Sequence, residues 1–121
     1  IASQYSKAFA GIPQLTAPSE HPDCQSAWHL YVIKLNLENL TKDRDEIFQA
    51  LRAENIGVNV HYIPVPWLTY YKKLGYKKGS WPISEGVFYR LISLPMWPGM
   101  TDDDIEDVIF AVKKVLTAYQ K

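Results

Sequence analysis

The feature that most constrains this chain is an apolar stripe near its C-terminus. Ile105, Val108, Ile109, Val112, Val115, Leu116 and Tyr119 recur at steps of three and four residues, which gathers them on one face of a helix. Thr101 stands where an N-cap is needed, and Asp102, Asp103 and Asp104 load the first turn. Lys113, Lys114 and Lys121 lie toward the other end, so the charges match the helix dipole at both termini. A helix with one continuous apolar face must cover something flat and apolar, and a small sheet is the partner that fits.

The rest of the chain supplies such a sheet. Between His29 and Leu37, Tyr31, Ile33, Leu35 and Leu37 share one side and Lys34 and Asn36 the other, the two-residue period of a half-buried strand. By the same parity His29 reads as a packed core histidine. Thr41 or Asp43 can cap a following helix whose stripe is Ile47, Phe48 and Leu51. It runs to about Asn55, with Gly57 placed for a left-handed cap. Val58, Val60 and Tyr62 alternate with Asn59 and His61, which predicts a short second strand stopped by Pro64 and Pro66. Helical spacing returns in Trp67, Tyr70, Tyr71 and Leu74, closed by Gly75 and Gly79. A further short helix covers Ile83 to Tyr89, and 91–95 is a brief strand ended by Pro95.

This order predicts an α+β fold: a small, mostly antiparallel sheet of about three strands, helices packed on one face, and a long C-terminal helix. Residues 1–10 read as a short leading helix, an appendage to this layer. Residues 11–26, rich in Pro, Ser, Asp and Gln, read as a connector.

A length of 121 residues fits one domain. Thirteen basic and thirteen acidic side chains give a formal charge of zero, so no global field steers the chain toward nucleic acid or anionic lipid. No apolar stretch is long enough to span a membrane, and no signal peptide is visible. A single cysteine, Cys24, cannot close an internal disulfide, which suits a reducing cytoplasm. The first residue is Ile1, already inside a helical pattern, and this predicts a chain that begins within a larger polypeptide.

No glycine-rich phosphate loop, paired-cysteine spacing, HExxH or GxSxG occurs, so no catalytic or metal-ligating residues are assigned. His21, His29 and His61 are too scattered for a metal site. His61 differs from the others: its parity sets it opposite Val60 and Tyr62, just before a turn stiffened by Pro64 and Pro66. Nine of the sixteen aromatic residues lie between Tyr62 and Trp97, interleaved with Lys72, Lys73, Lys77 and Lys78. Such rings either form core and interface or serve a non-catalytic carbohydrate- or nucleotide-binding module over 62–97.

The segments "AWHLYVIKL" (27–35), "IFQALRAENIGVNVHYIPV" (47–65), "YYKKLGYKKGSWPISE" (70–85) and "ISLPMWPGMTDDDIEDVI" (92–109) resemble, in order and spacing, the C-terminal domain of the DegT/DnrJ/StrS sugar aminotransferases. The resemblance covers nearly the whole chain. It implies residues 1–10 as the end of an inter-domain helix, 11–26 as a connector and 27–121 as the small domain of a fold-type-I, pyridoxal-phosphate-dependent enzyme. That enzyme transfers an amino group, usually from glutamate, to a keto group on a nucleotide-linked sugar, in cell-surface polysaccharide or amino-sugar synthesis. The resemblance further implies a cytoplasmic homodimer whose large domain, on the same polypeptide, binds the cofactor through a lysine. None of the ten lysines here falls in a match to that lysine's motif, so the role is assigned to none of them and the chain alone is expected to be inactive.

By the same resemblance the small domain closes over the cleft and contacts the donor or the sugar. His61 and Tyr62 are the best matches to that role, and Trp28 and His29 are weaker ones. Where many relatives continue "HYIPVH", this chain has Pro66 and Trp67, a rigid apolar pair in place of a polar side chain, so Trp67 joins the substrate-side candidates.

Overall fold

A computed structural model describes residues 1–121. Its longest helix, α5 (Asp102–Ala118), starts at Thr101 through a reciprocal cap. The Thr101 hydroxyl oxygen accepts from the Asp104 backbone N–H at 3.1 Å, and the Asp104 carboxylate accepts from the Thr101 N–H at 2.8 Å. Donors that the first turn leaves without helical partners are thereby satisfied. Ile105, Val108, Ala111, Val112, Val115 and Leu116 form the buried face of α5.

That face lies against a three-stranded antiparallel sheet in the order β1 (Leu15–Thr16), β2 (Tyr31–Leu35), β3 (Leu91–Leu94). Leu15 pairs with Leu35, Tyr31 with Leu94 and Ile33 with Ile92, so the apolar residues of adjacent strands share the helix-facing side. With α1 (Ala2–Phe9) and α2 (Arg44–Ala53) they form one core cluster, in which Tyr31, Ile33, Leu35, Ile47, Ile92 and Val112 are fully enclosed. The chain is an α+β domain with a long C-terminal helix.

Four details depart from the sequence reading. The leading helix is not peripheral: Tyr5 and Phe9 of α1 are core residues, and the Tyr5 hydroxyl donates to the Pro95 carbonyl at 2.8 Å. The third strand comes from the connector. The side-chain amides of Asn36 and Asn39 donate to the Pro13 carbonyl at 2.9 and 2.7 Å and pin β1 alongside β2. Residues 58–62 form no strand but a single bridge, Asn59 to Ser93, because the Asn59 side chain takes the Val60 N–H at 2.8 Å and Pro64 and Pro66 have none to give. After α2, Asn55 rather than Gly57 adopts the left-handed conformation, with φ 63°. Asparagine is the residue after glycine that tolerates it best.

Of the two cap candidates for α2, Asp43 is the N-cap and forms a capping box with Glu46. Thr41 instead fastens the loop to the end of α5, its N–H and hydroxyl both donating to the Tyr119 carbonyl. Beyond α2, a 3-10 turn (Val65–Trp67), α3 (Thr69–Lys73) and α4 (Pro82–Phe88) carry the aromatic segment back to β3. No helix is long and apolar enough to cross a membrane.

Candidate functional site

His61 is placed by β3. The Asn59 N–H donates to the Ser93 carbonyl at 3.1 Å, and the Ser93 N–H donates to the Asn59 carbonyl at 2.8 Å. This bridge clamps the segment to the outer edge of the sheet. Two residues on, His61 Nδ1 lies 2.9 Å from the Ser93 hydroxyl. Ser93 alternates with the helix-facing Ile92 and Leu94 and so turns to the opposite side of the sheet, where it is nevertheless only 3% exposed. His61 is half-buried and its Nε2 has no partner within the chain. Its ring meets the edge of Tyr62, centroids 4.6 Å apart, and Tyr62 is 69% exposed. The two residues thus present an imidazole nitrogen and a phenol beside each other, and the peptide joining them is cis.

Trp67 follows a different course. It is 4% exposed, enclosed by Phe88 and Tyr89, with Lys78 Nζ 4.1 Å above its ring. The apolar residue at this position packs inward and secures the 3-10 turn to α4. Beside it the buried Glu85 carboxylate accepts from the Gly79 N–H with both oxygens at 2.8 Å and from the Trp81 N–H at 3.3 Å. Burial pushes the Glu85 carboxyl upward. The Gly79 and Trp81 donors, the nearby Trp67 indole and the charge of Lys78 outweigh that and hold it below the usual carboxylate range. The indole N–H makes no well-directed hydrogen bond, so its part is that of a nearby dipole.

Trp28 and His29 precede β2. Trp28 has φ 48°, which breaks the extended alternation before the strand begins. The parity that predicts a buried His29 is lost there, and His29 is exposed. Trp28 stacks on Tyr31 with centroids 5.7 Å apart. Together with Ile1, Met96, Trp97 and Pro98, Trp28 and His29 line an apolar groove of about 650 Å³. His61 and Tyr62 do not line this groove. The structure brings the candidates together as two pairs, one at the Ser93 edge of β3 and one where β2 begins.

Sequence reasoning missed Ser93. The only signal for it was its place inside the "ISLP" segment, because its link to His61 crosses 32 residues. It also missed how Glu85 is used. This residue lies within α4 but folds back on the donors that precede the helix.

Comparison with known proteins matches the same span. Residues 1–113 match the model of the DegT/DnrJ/EryC1/StrS aminotransferase family. The spore coat polysaccharide biosynthesis protein SpsC of Bacillus subtilis is 43% identical over 118 residues, covering 96% of this chain and 30% of SpsC. Spr1654 of Streptococcus pneumoniae, solved in its PMP form, superposes with a TM-score of 0.85 at 29% identity, over 96% of this chain and 29% of that one. PseC of Helicobacter pylori, an aminotransferase involved in the biosynthesis of pseudoaminic acid, superposes with a TM-score of 0.81 at 26% identity, over 98% and 31% of the two chains. The chain therefore spans about a third of the length of the curated relatives it matches. Its order of elements, its sequence and its superposition agree: the chain belongs to the DegT/DnrJ/EryC1/StrS aminotransferase family.

Proposed function

We propose that this chain is the C-terminal small domain of a pyridoxal-phosphate-dependent aminotransferase. The complete enzyme moves an amino group, with glutamate as donor, onto the keto carbon of a nucleotide-linked sugar in cytoplasmic synthesis of cell-surface polysaccharide. The observation that carries this reading is the extent of the family match, which runs from residue 1 to residue 113 and is not confined to one motif. The polysaccharide role is supported by the name of SpsC and the sugar substrate by the role of PseC. In this reading His61 and Tyr62 face the substrate, Trp28 and His29 are weaker substrate-side contacts, and Trp67 holds the intervening segment in shape. The complete enzyme is a homodimer.

The cofactor supplies the electron sink, and the protein positions it. All ten lysines of this chain are exposed. Lys42 and Lys114 are paired with Glu46 and Glu54, and Lys121 donates to the Leu37 and Glu38 carbonyls. None of the ten lysines falls in a match to the motif of the cofactor lysine, so in this reading the cofactor is assigned to the large domain.

The test is His61→Ala in the full-length enzyme. Losing a hydrogen bond to a charged substrate group costs about 1.5–3 kcal/mol, so kcat/KM should fall roughly 10–150-fold while the domain stays folded. Unaltered steady-state kinetics would remove His61 from the site.

A further inference from the structure

The His61–Ser93 contact carries information about protons. Both backbone groups of Ser93 are taken by Asn59, and its hydroxyl has one partner, His61 Nδ1 at 2.9 Å. A hydroxyl can donate once, and a neutral imidazole carries a single hydrogen on one of its two nitrogens. If Nδ1 held that hydrogen and donated it to Ser93 Oγ, the hydroxyl hydrogen would be left without an acceptor at a residue only 3% exposed. Buried donors without partners are rare because they are costly. If the hydroxyl instead donates to Nδ1, both groups are satisfied and the imidazole hydrogen resides on Nε2. That nitrogen has no partner in the chain and belongs to a half-buried ring beside the exposed Tyr62.

We propose that Ser93 is a positioning residue that holds neutral His61 in its Nε2–H tautomer, so that His61 meets a ligand as a hydrogen-bond donor to an anionic oxygen and not as a proton acceptor. The hydrogen bond made by one ring nitrogen decides in general which nitrogen of a neutral histidine carries the hydrogen. The reacting role follows: His61 binds and orients, and proton transfer belongs to other groups. Of the two substrates, the nucleotide-sugar offers an anionic oxygen in its diphosphate and the amino donor in its carboxylate. The ligand's identity rests on the aminotransferase reading above. The tautomer rests on Ser93 and His61 alone.

The first experiment uses the 121-residue chain with ¹⁵N-labelled histidine and long-range ¹H–¹⁵N correlation, well above the imidazole titration range. His61 should show a pyridine-type Nδ1 and a pyrrole-type Nε2. Ser93→Ala should shift it toward a mixture of tautomers, and Ser93→Thr, which keeps the hydroxyl, should restore the single form. A His61 that carries its hydrogen on Nδ1 in the unmodified chain overturns the proposal, as does a folded Ser93→Ala chain with an unchanged tautomer. If Ser93→Ala fails to fold, the spectrum of the unmodified chain still decides.

The second experiment uses the full-length enzyme and distinguishes donor from base. His61→Gln retains an N–H near the position of Nε2 but cannot serve as a base. It should recover most of an increase in KM of about tenfold or more produced by His61→Ala, with kcat little changed in either variant. Whether that increase falls on the nucleotide-sugar or on the amino donor identifies the source of the oxygen. A His61→Gln enzyme whose KM is raised as far as that of His61→Ala, or a kcat that falls well below that of the unmodified enzyme in both variants, overturns the donor role. An enzyme without aminotransferase activity refutes the functional reading and leaves the tautomer result standing.

Discussion

The Tyr5 hydroxyl donates to the Pro95 carbonyl across 90 residues of sequence, at 2.8 Å. Pro95 follows directly on β3, two residues from the serine that holds His61. The first helix thus braces the strand that positions the candidate site. Tyr5 is fully buried against Phe9 and Tyr31, with ring centroids 5.8 and 5.1 Å away. Burial first, and then the neighbouring Tyr31, push its phenol well above the ordinary tyrosine range, so it stays a neutral donor at any working pH.

Tyr5→Phe keeps the ring and removes the bond, leaving the Pro95 carbonyl without its donor. The expected loss is about 1–3 kcal/mol of stability, read as a lower midpoint in urea with an unchanged slope. A midpoint equal to that of the unmodified chain would mean that α1 does not brace β3.

The cap of α5 is worth a separate measurement, because the whole core rests on that helix. Thr101→Ala removes the hydroxyl that accepts the Asp104 N–H and donates to the Asp104 carboxylate. Caps of this kind contribute about 0.5–2 kcal/mol. The Thr101 backbone N–H first, and then its hydroxyl, hold the Asp104 carboxyl below the usual range. In Thr101→Ala that carboxyl should therefore titrate closer to the ordinary aspartate value. Side-chain NMR titration reads this directly, and thermal unfolding reads the lost stability.

How far this architecture can be read from the sequence depends on the distance over which each contact acts. The stripe and cap of α5, the Asp43 cap of α2 and the alternation of Tyr31, Ile33 and Leu35 are local patterns, and each appears where its spacing predicts. Tyr5 and Phe9 could not be assigned to the core from a ten-residue segment whose partners are Tyr31 and Pro95. Strand β1 has two residues, too few for a period, and depends on Asn36 and Asn39 reaching Pro13. The candidate site divides in the same way. His61 stands out through its place just before the prolines and Tyr62 only through the family resemblance, but the serine that orients the imidazole lies 32 residues away and belongs to an unremarkable strand. The inward turn of Trp67 depends on Phe88, Tyr89 and Lys78, none of them its sequence neighbours.

The aromatic segment gives a direct contrast between a domain of an enzyme and a sugar- or nucleotide-binding module. Trp81 already stacks on Tyr76, with centroids 5.2 Å apart and planes at 17°. Trp67 is covered by Lys78 on a face and by Phe88 at an edge. Tyr70, Tyr71 and Tyr76 meet edge to face in succession. Trp67 is thus buried, and Trp81 has one face occupied by Tyr76. Titrating nucleotide-sugars into the 121-residue chain should therefore change its tryptophan fluorescence little. Saturable quenching would favour the binding module.

Glu85 makes the stability of this same segment depend on pH. Its folded carboxyl lies below the ordinary glutamate value, because the Gly79 and Trp81 N–H groups and the charge of Lys78 overcome the opposing effect of burial. A carboxyl depressed by folding stabilises the protein above its unfolded pKa, near 4.3, and that contribution is lost as pH falls through the folded value. Glu38 and Glu46 shift in the same direction. Glu38 is held low by a backbone hydrogen bond and by Arg90, and Glu46 by Lys42 and the Asp43 N–H. The chain as a whole should lose stability on acidification below the unfolded carboxylate range. Glu85→Gln isolates one part of this loss. It weakens the grip on Gly79 at neutral pH, so hydrogen exchange over residues 76–81 should accelerate, while the difference from the unmodified chain shrinks as both are acidified. A difference that stays constant across that range would mean that the ionised carboxylate is not what holds the loop.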